Sequence, residues 1–234
     1  MKVAIIGMGP MGVRHIAAVG KVPGLELSAV CDSRPEALEK TGLDPNVARY
    51  LSAEELLDKA PPELLILSTT APSHHSLTLA ALRAGVRRIL CEKPIACSLR
   101  QAREMLDQAA VCGAVLAVNH CRRHVPAYRW LAGKIRSGER GVLRGARSAC
   151  PGIGLGCLAT HFIDLLRFLG GEDFVEVFGW VDPERGANPR GACFHDPGGL
   201  IVATGVSGSR YVHHQIKDAS GPYSLTLDLT SARI

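Results

Sequence analysis

Three stretches hold residues whose types and spacing suit chemistry. The first is Gly7-Met8-Gly9-Pro10-Met11-Gly12, directly after the apolar run VAII, with Asp32 twenty residues beyond Gly12. A first glycine permits a tight turn, a second lets the backbone approach a pyrophosphate, and a third lets a helix pack closely on a strand. A helix starting there turns free N–H groups toward phosphates, and Pro10 fits because a first-turn position needs no donor. Asp32 suits the adenosine ribose hydroxyls, which favours NAD; NADP is the alternative, since Ser33 and Arg34 would hold a 2′-phosphate if Asp32 swung away. The second stretch is Cys91-Glu92-Lys93-Pro94, and the third is GCLATHFIDLL at 156–166. In the third, His161 is either a proton-transfer group or a polar residue at the margin of the stripe Leu158, Phe162, Leu165, Leu166 and Leu169. Asp164, one turn on, either orients the ring or caps the surface.

These residues need elements to position them. Short apolar runs at 3–6, 25–31, 64–68, 88–91 and 114–118 read as strands, with a weaker one at 47–50. Helices fit between them. Ser52 with Glu55, and Ser98 with Gln101, have capping-box spacing, and Gly85 and Gly113 stand where helix ends take a left-handed residue. Buried strands alternating with helices predict an α/β fold, an N-terminal Rossmann domain with a doubly wound parallel sheet. After Asn119 the rhythm changes. A helix at 125–137 leads to a strand at 142–149, then to glycine-rich PGIGLG and the His161 helix. Strands follow at 174–181, 200–206, 210–216 and 223–229, separated by turn-rich segments at 182–191 and 196–199. The expectation is a Rossmann domain over 1–120 and a smaller α+β domain over 121–234 with a mostly antiparallel sheet.

Composition narrows the class. At 234 residues, 47% of them apolar, the chain can bury a substantial core. The first apolar run is too short for a signal peptide or membrane span, so a cytoplasmic protein with no membrane role is expected. Eight cysteines, with no CxxC pair, read as buried free thiols. His120, Cys121 and His124 cluster in NHCRRH, but the arginines between them repel a cation and no second cluster completes a ligand set; no metal is expected. The net charge is +5, with 20 arginines against 7 lysines. Seven arginines lie from Arg122 to Arg147. They form either a solvated face or an attraction for an anionic cofactor or substrate. No nucleic-acid motif accompanies them.

Taken in order, GMGPMG, STTAPSHHSLTLAALRAG, CEKP, NHCRRHVPAYRWLAGKIRSGERGVLRGARS and THFIDLLRFLGG resemble the family of glucose–fructose oxidoreductase, inositol 2-dehydrogenase and MocA. The likeness runs to about residue 182. It implies hydride transfer between nicotinamide and a carbon bearing oxygen, often on a sugar or cyclitol. Lys93 matches the family lysine beside the nicotinamide, where an ammonium steadies a developing alkoxide, and Glu92 would orient it. Ser68, Thr69, Thr70 and His74 match the loop lying along the cofactor. His161 matches the acid/base histidine. In the first turn of its helix the positive end disfavours imidazolium, and the neutral ring is the form that takes a hydroxyl proton. Asn119, Arg122 and Thr160 are candidate substrate contacts, Arg122 for a carboxylate or phosphate.

Two departures stand out. Many relatives place an aspartate four or three residues before the histidine, where Cys157 and Leu158 stand here, and Pro151 to Thr160 contains no acid. Relatives also continue through further strands where this chain ends at LTLDLTSARI, so the C-terminal sheet is expected to be covered by another subunit in a homo-oligomer. The leading expectation is an NAD(P)-dependent dehydrogenase or reductase acting on a small, sugar-like or anionic metabolite. The alternative is a catalytically impaired NAD(P)-binding relative that serves as a sensor or assembly partner.

Overall fold

The computed structural model describes residues 1–39, 43–139, 141–152, 154–183, 188, 194–217 and 219–231. Cys193 and most of the turn-rich segment at 182–191 lie outside the described residues. The chain divides into two compact units, Met1–Asn119 and His120–Ile234. Among the described residues no helix is long and apolar enough to cross a membrane.

The first unit alternates β1 (Lys2–Ile6), α1 (Pro10–Val19), β2 (Glu26–Cys31), α2 (Pro35–Glu39), β3 (Ala48–Tyr50), α3 (Ala53–Lys59), β4 (Leu64–Leu67), α4 (Ala71–Arg83), β5 (Arg88–Cys91), α5 (Leu99–Val111) and β6 (Val115–Val118). Its six strands are all parallel, in the order β3-β2-β1-β4-β5-β6. Both faces of the sheet are buried, which is why its strands read as continuous apolar runs. Val3 and Ile5 pack with Val19 and Leu38 of α1 and α2. Ala4 and Ile6 face the other way, toward Leu56, Leu82 and Met105 of α3, α4 and α5. The doubly wound parallel sheet expected from the sequence is therefore present, including the weak third strand.

Local signals explain where these helices begin and end. Ser52 Oγ accepts from Glu55 N and Ser98 Oγ from Gln101 N, at 3.4 and 3.2 Å. The return arms differ from a full capping box: Glu55 bonds Lys59, and Gln101 Oε1 accepts from Cys97 N, one residue before the cap. Gly85 and Gly113 close α4 and α5 with φ of +86° and +62°, conformations costly to any side chain.

The second unit starts with a 3₁₀ turn (Cys121–His124), then α6 (Pro126–Arg136), β7 (Leu143–Gly152), a π-helical turn (Leu155–Ala159) and α7 (Thr160–Gly170). It continues as β8 (Phe174–Val181), β9 (Gly199–Gly205), β10 (Arg210–Lys217) and β11 (Ser224–Leu229). The sheet order is β11-β7-β10-β9-β8, antiparallel throughout except for β7 with β10. Leu165, Leu166 and Leu169 of α7 and Ala132 and Ile135 of α6 pack on Ala146, Ala203, Tyr211 and Leu227 of the sheet. At the β8 edge, Val175, Val177, Phe178, Trp180 and Val181 are all mainly exposed among the described residues.

The thiols divide by position. Cys31, Cys91, Cys150 and Cys157 are buried, as expected, but Cys112 is half-buried and Cys97 and Cys121 are exposed. Burial pushes the Cys31 and Cys91 thiols up, to about 11 and about 12, so neither is a ready nucleophile. Ser98→Ala is expected to cost about 1 kcal/mol through the lost cap, read as a lower urea midpoint; Gln101→Ala should cost less.

Candidate functional site

The glycine loop follows β1 and occupies the carboxyl edge of the first sheet, where α/β proteins bind ligands. Gly7 has φ +98°, and a Cβ there would lie 2.7 Å from the backbone of Ser68 and Thr69. A Cβ on Gly12 would lie 2.1 Å from the Gly7 carbonyl oxygen, whereas one on Gly9 would meet nothing within 4 Å. The loop is thus packed tightly below and open above its middle glycine, the shape a pyrophosphate needs. Ser68 latches it: its hydroxyl donates to the carbonyls of Ile6 and Gly7 at 3.1 and 2.6 Å. Met8 buries its side chain in the core. Pro10 and Met11 open α1.

Asp32 closes the loop from the end of β2. Its Oδ2 accepts from Met8 N at 2.8 Å and from the Arg34 guanidinium at 3.1 Å; its Oδ1 accepts from Arg34 N and Nε, both at 3.0 Å. Burial pushes this carboxyl up, but the Arg34 guanidinium and the Met8 and Arg34 amides outweigh it and hold the group below its usual range. Four donors fill the lone-pair sites of one carboxylate. Arg34 is 59% exposed and Asp32 7%. The guanidinium side of the carboxylate thus faces solvent, while the Met8 bond is buried. Ser33 is exposed.

Past β4, Ser73 Oγ donates to Thr69 Oγ1 at 2.7 Å and to Thr70 O at 2.9 Å. His74, fully buried, has Nδ1 2.9 Å from Pro94 O and Nε2 3.1 Å from Thr69 O. It ties the Thr69 loop to the Lys93-Pro94 segment through main-chain oxygens.

Lys93 follows β5 and is half-buried, with a cis bond to Pro94. Beside it Glu92 is 4% exposed. Glu92 Oε1 meets His15 Nε2 at 2.9 Å and accepts from Asn119 Nδ2 at 2.6 Å, and Oε2 accepts from Lys93 N at 3.3 Å. Burial pushes the Glu92 carboxyl up, yet His15, Asn119 and the Lys93 amide hold it below its usual range. Glu92 thus fixes the backbone at Lys93. His15 escaped the sequence reading, although it follows Gly12 by three residues and precedes Val19 by four, on the buried face of α1. A histidine on such a face requires a polar partner.

In the second unit, Thr160 opens α7, and its Oγ1 is buried with no hydrogen-bond partner among the described residues. His161 is half-buried, and the His120 ring meets it edge-on at 6.0 Å. It does not stand at a free helix start, because the π-helical turn at Leu155–Ala159 runs straight into α7. Asp164 bonds Arg123 Nε at 2.7 Å, so it serves the 3₁₀ turn. The Arg122 guanidinium lies over Phe162 at 4.4 Å and Tyr223 at 5.2 Å. Phe162 also stacks on His213 at 5.2 Å. His213 is 1% exposed, with Ser148 Oγ 2.8 Å from Nδ1 and Gln215 Oε1 3.3 Å from Nε2. Burial lowers its pKa, leaving a neutral, packed ring under the residue that follows His161.

A parallel sheet in Rossmann strand order with a phosphate-type glycine loop defines the class: a dinucleotide-binding protein with a second, α+β unit. The chain belongs to the Gfo/Idh/MocA family, whose model, described as "Oxidoreductase family, NAD-binding Rossmann fold", matches residues 1–120. It is 31% identical over 188 residues to D-apiose dehydrogenase of Paraburkholderia graminis, covering 73% of this chain and 50% of that protein. To 1,5-anhydro-D-fructose reductase of Ensifer adhaerens it is 33% identical over 173 residues, covering 66% and 51%. The chain spans about half the length of these curated relatives. In fold it is similar to scyllo-inositol dehydrogenase of Lactobacillus casei, solved with NAD(H) and scyllo-inositol, with a TM-score of 0.81, 17% identity, and coverage of 100% of this chain and 75% of that one.

The lowered carboxyls make a pH prediction. Asp32 and Glu92 sit below their ordinary values of 3.8 and 4.5. Each therefore contributes stability above those values that is lost as pH falls through the folded-state pKa. Urea unfolding is expected to show stability falling from about pH 5 toward about pH 3, with a shallower slope in Glu92→Gln.

Proposed function

We propose that the chain is an NAD-dependent oxidoreductase that transfers hydride between nicotinamide and a hydroxyl or carbonyl carbon of a small carbohydrate-like metabolite. The observation that carries this reading is the shared carboxyl edge of one parallel sheet. There the open glycine loop, the loop-closing Asp32 and Lys93 all follow strand ends. Relatives named as sugar and inositol dehydrogenases and reductases favour turnover over the binding-only alternative.

The glycine loop and the start of α1 would hold the pyrophosphate, and Asp32 the adenosine ribose after Arg34 is displaced. Swinging Asp32 out to admit a 2′-phosphate would strand the buried Met8 N–H, so the loop favours NAD over NADP. When bound, the cofactor supplies the hydride acceptor or donor. In the oxidative direction His161 takes the hydroxyl proton and the Lys93 ammonium steadies negative charge on the reacting oxygen. Thr160 offers its buried hydroxyl to the substrate. Arg122, held against two rings, suits a carboxylate or phosphate, and Asn119 acts mainly by fixing Glu92. The reaction belongs in the cytoplasm, where NAD is abundant and the chain's thiols stay reduced.

The mainly exposed apolar residues of β8 are the surface for a second copy, making a homo-oligomer through the C-terminal sheet. Phe178 and Trp180, in edge contact at 5.0 Å, would anchor it.

Lys93→Ala is expected to keep NAD affinity within about twofold while kcat falls at least about a hundredfold. Calorimetry with NAD and NADH formation across an inositol and sugar panel check this; full turnover in the variant would remove Lys93 from the mechanism. Trp180→Glu is expected to shift the chain to a smaller species in sedimentation velocity. An unchanged assembly would place the interface elsewhere.

A further inference from the structure

No acid lies within the ten residues before His161, yet one reaches them from another part of the chain. Asp196, in the connection between β8 and β9, places Oδ1 2.6 Å from Gly156 N and Oδ2 3.0 Å from Cys157 N. The backbone around it is fitted to this contact. Leu155 N donates to Pro197 O at 2.8 Å, and a Cβ on Gly154 would fall 1.9 Å from Asp196 O. The carboxylate therefore sits on the first amides of the helical run that continues into α7. Those amides have no partner within the helix and carry its partial positive charge. Cys157, whose amide is bonded, is one of the two positions where the family pattern places an acid.

We propose that Asp196 is a positioning residue for His161, holding the turn that leads into it and supplying there the negative charge that the helix itself lacks. This rests on the reading of His161 as the proton acceptor. Among the described residues, the other charged or titratable side chains near the start of α7 include His120, Cys157, Arg122 on Phe162 and Tyr223, Tyr223 itself, the Arg123–Asp164 pair, and His213 below Phe162. Asp164 is paired with Arg123, and Asp196 is the acid bonded directly to the amides at the helix end. A negative charge one turn before His161 favours a proton on its ring.

The test is imidazole ¹⁵N NMR titration of the full chain, with the His161 signal identified by its loss in His161→Gln. Asp196→Asn removes the charge and keeps one acceptor oxygen, so one of the two amides loses its bond. The His161 midpoint is expected to move to lower pH, about threefold in proton affinity, beside a fall in melting temperature from the lost amide bond. Asp196→Ser, a shorter neutral cap, gives the same reading if Asp196→Asn does not fold. On a substrate that wild type turns over, kcat should fall in Asp196→Asn while KM holds. An unmoved His161 midpoint, whatever the melting temperature, makes Asp196 a cap alone and overturns the proposal. The titration needs no substrate, so a chain with no turnover fails the catalytic reading separately from this one.

Discussion

The Rossmann unit depends on one buried carboxylate. Glu92 lies at the end of β5, and its donors come from α1, from the end of β6 and from its own neighbour Lys93. Burying a carboxylate is costly unless donors compensate it. Here they do, and the compensation draws three elements to one point. His15 can reach Glu92 only if α1 packs on the sheet, and α1 can pack there only because Gly12 lacks a side chain. The glycine loop and the lysine segment are thus coupled through a histidine that belongs to neither.

The second unit solves a related problem with aromatic rings. Arg122 keeps its charge on the faces of Phe162 and Tyr223, and Phe162 rests on the buried neutral ring of His213. Cation–π contact holds an arginine in place without neutralising it. An arginine paired with an acid, such as Arg123 with Asp164, is no longer available to an anion. The two neighbouring arginines of one short turn are therefore held in different ways, one by rings and one by an acid.

Most of the fold was legible because periodicity reports burial. Apart from β3, the strands of the parallel sheet lie in mainly apolar runs, and the glycines at 7, 85 and 113 mark turns that only their backbone allows. The candidate site was legible where chemistry is local in sequence: the loop, Asp32 and Lys93. It was illegible where partners come from far along the chain. Glu92 finds His15 across 77 residues, and Asp196 finds Gly156 across 40. No spacing rule covers such distances, since tertiary packing alone sets them. The same holds for Asp164, whose place one turn after His161 suggested a partner that Arg123 took instead.

The glycine loop also bears on how this sequence can change. A side chain at Gly7 or Gly12 would strike main-chain atoms: the Ser68–Thr69 backbone in one case and the Gly7 carbonyl in the other. Main-chain atoms cannot be trimmed by a second substitution, so such a change has no compensating partner elsewhere. At Gly205 the obstacle is the Glu172 carboxylate, which a shorter residue at 172 would remove. Drift can therefore reach the far end of β9 through paired replacements, while positions 7 and 12 stay closed to it.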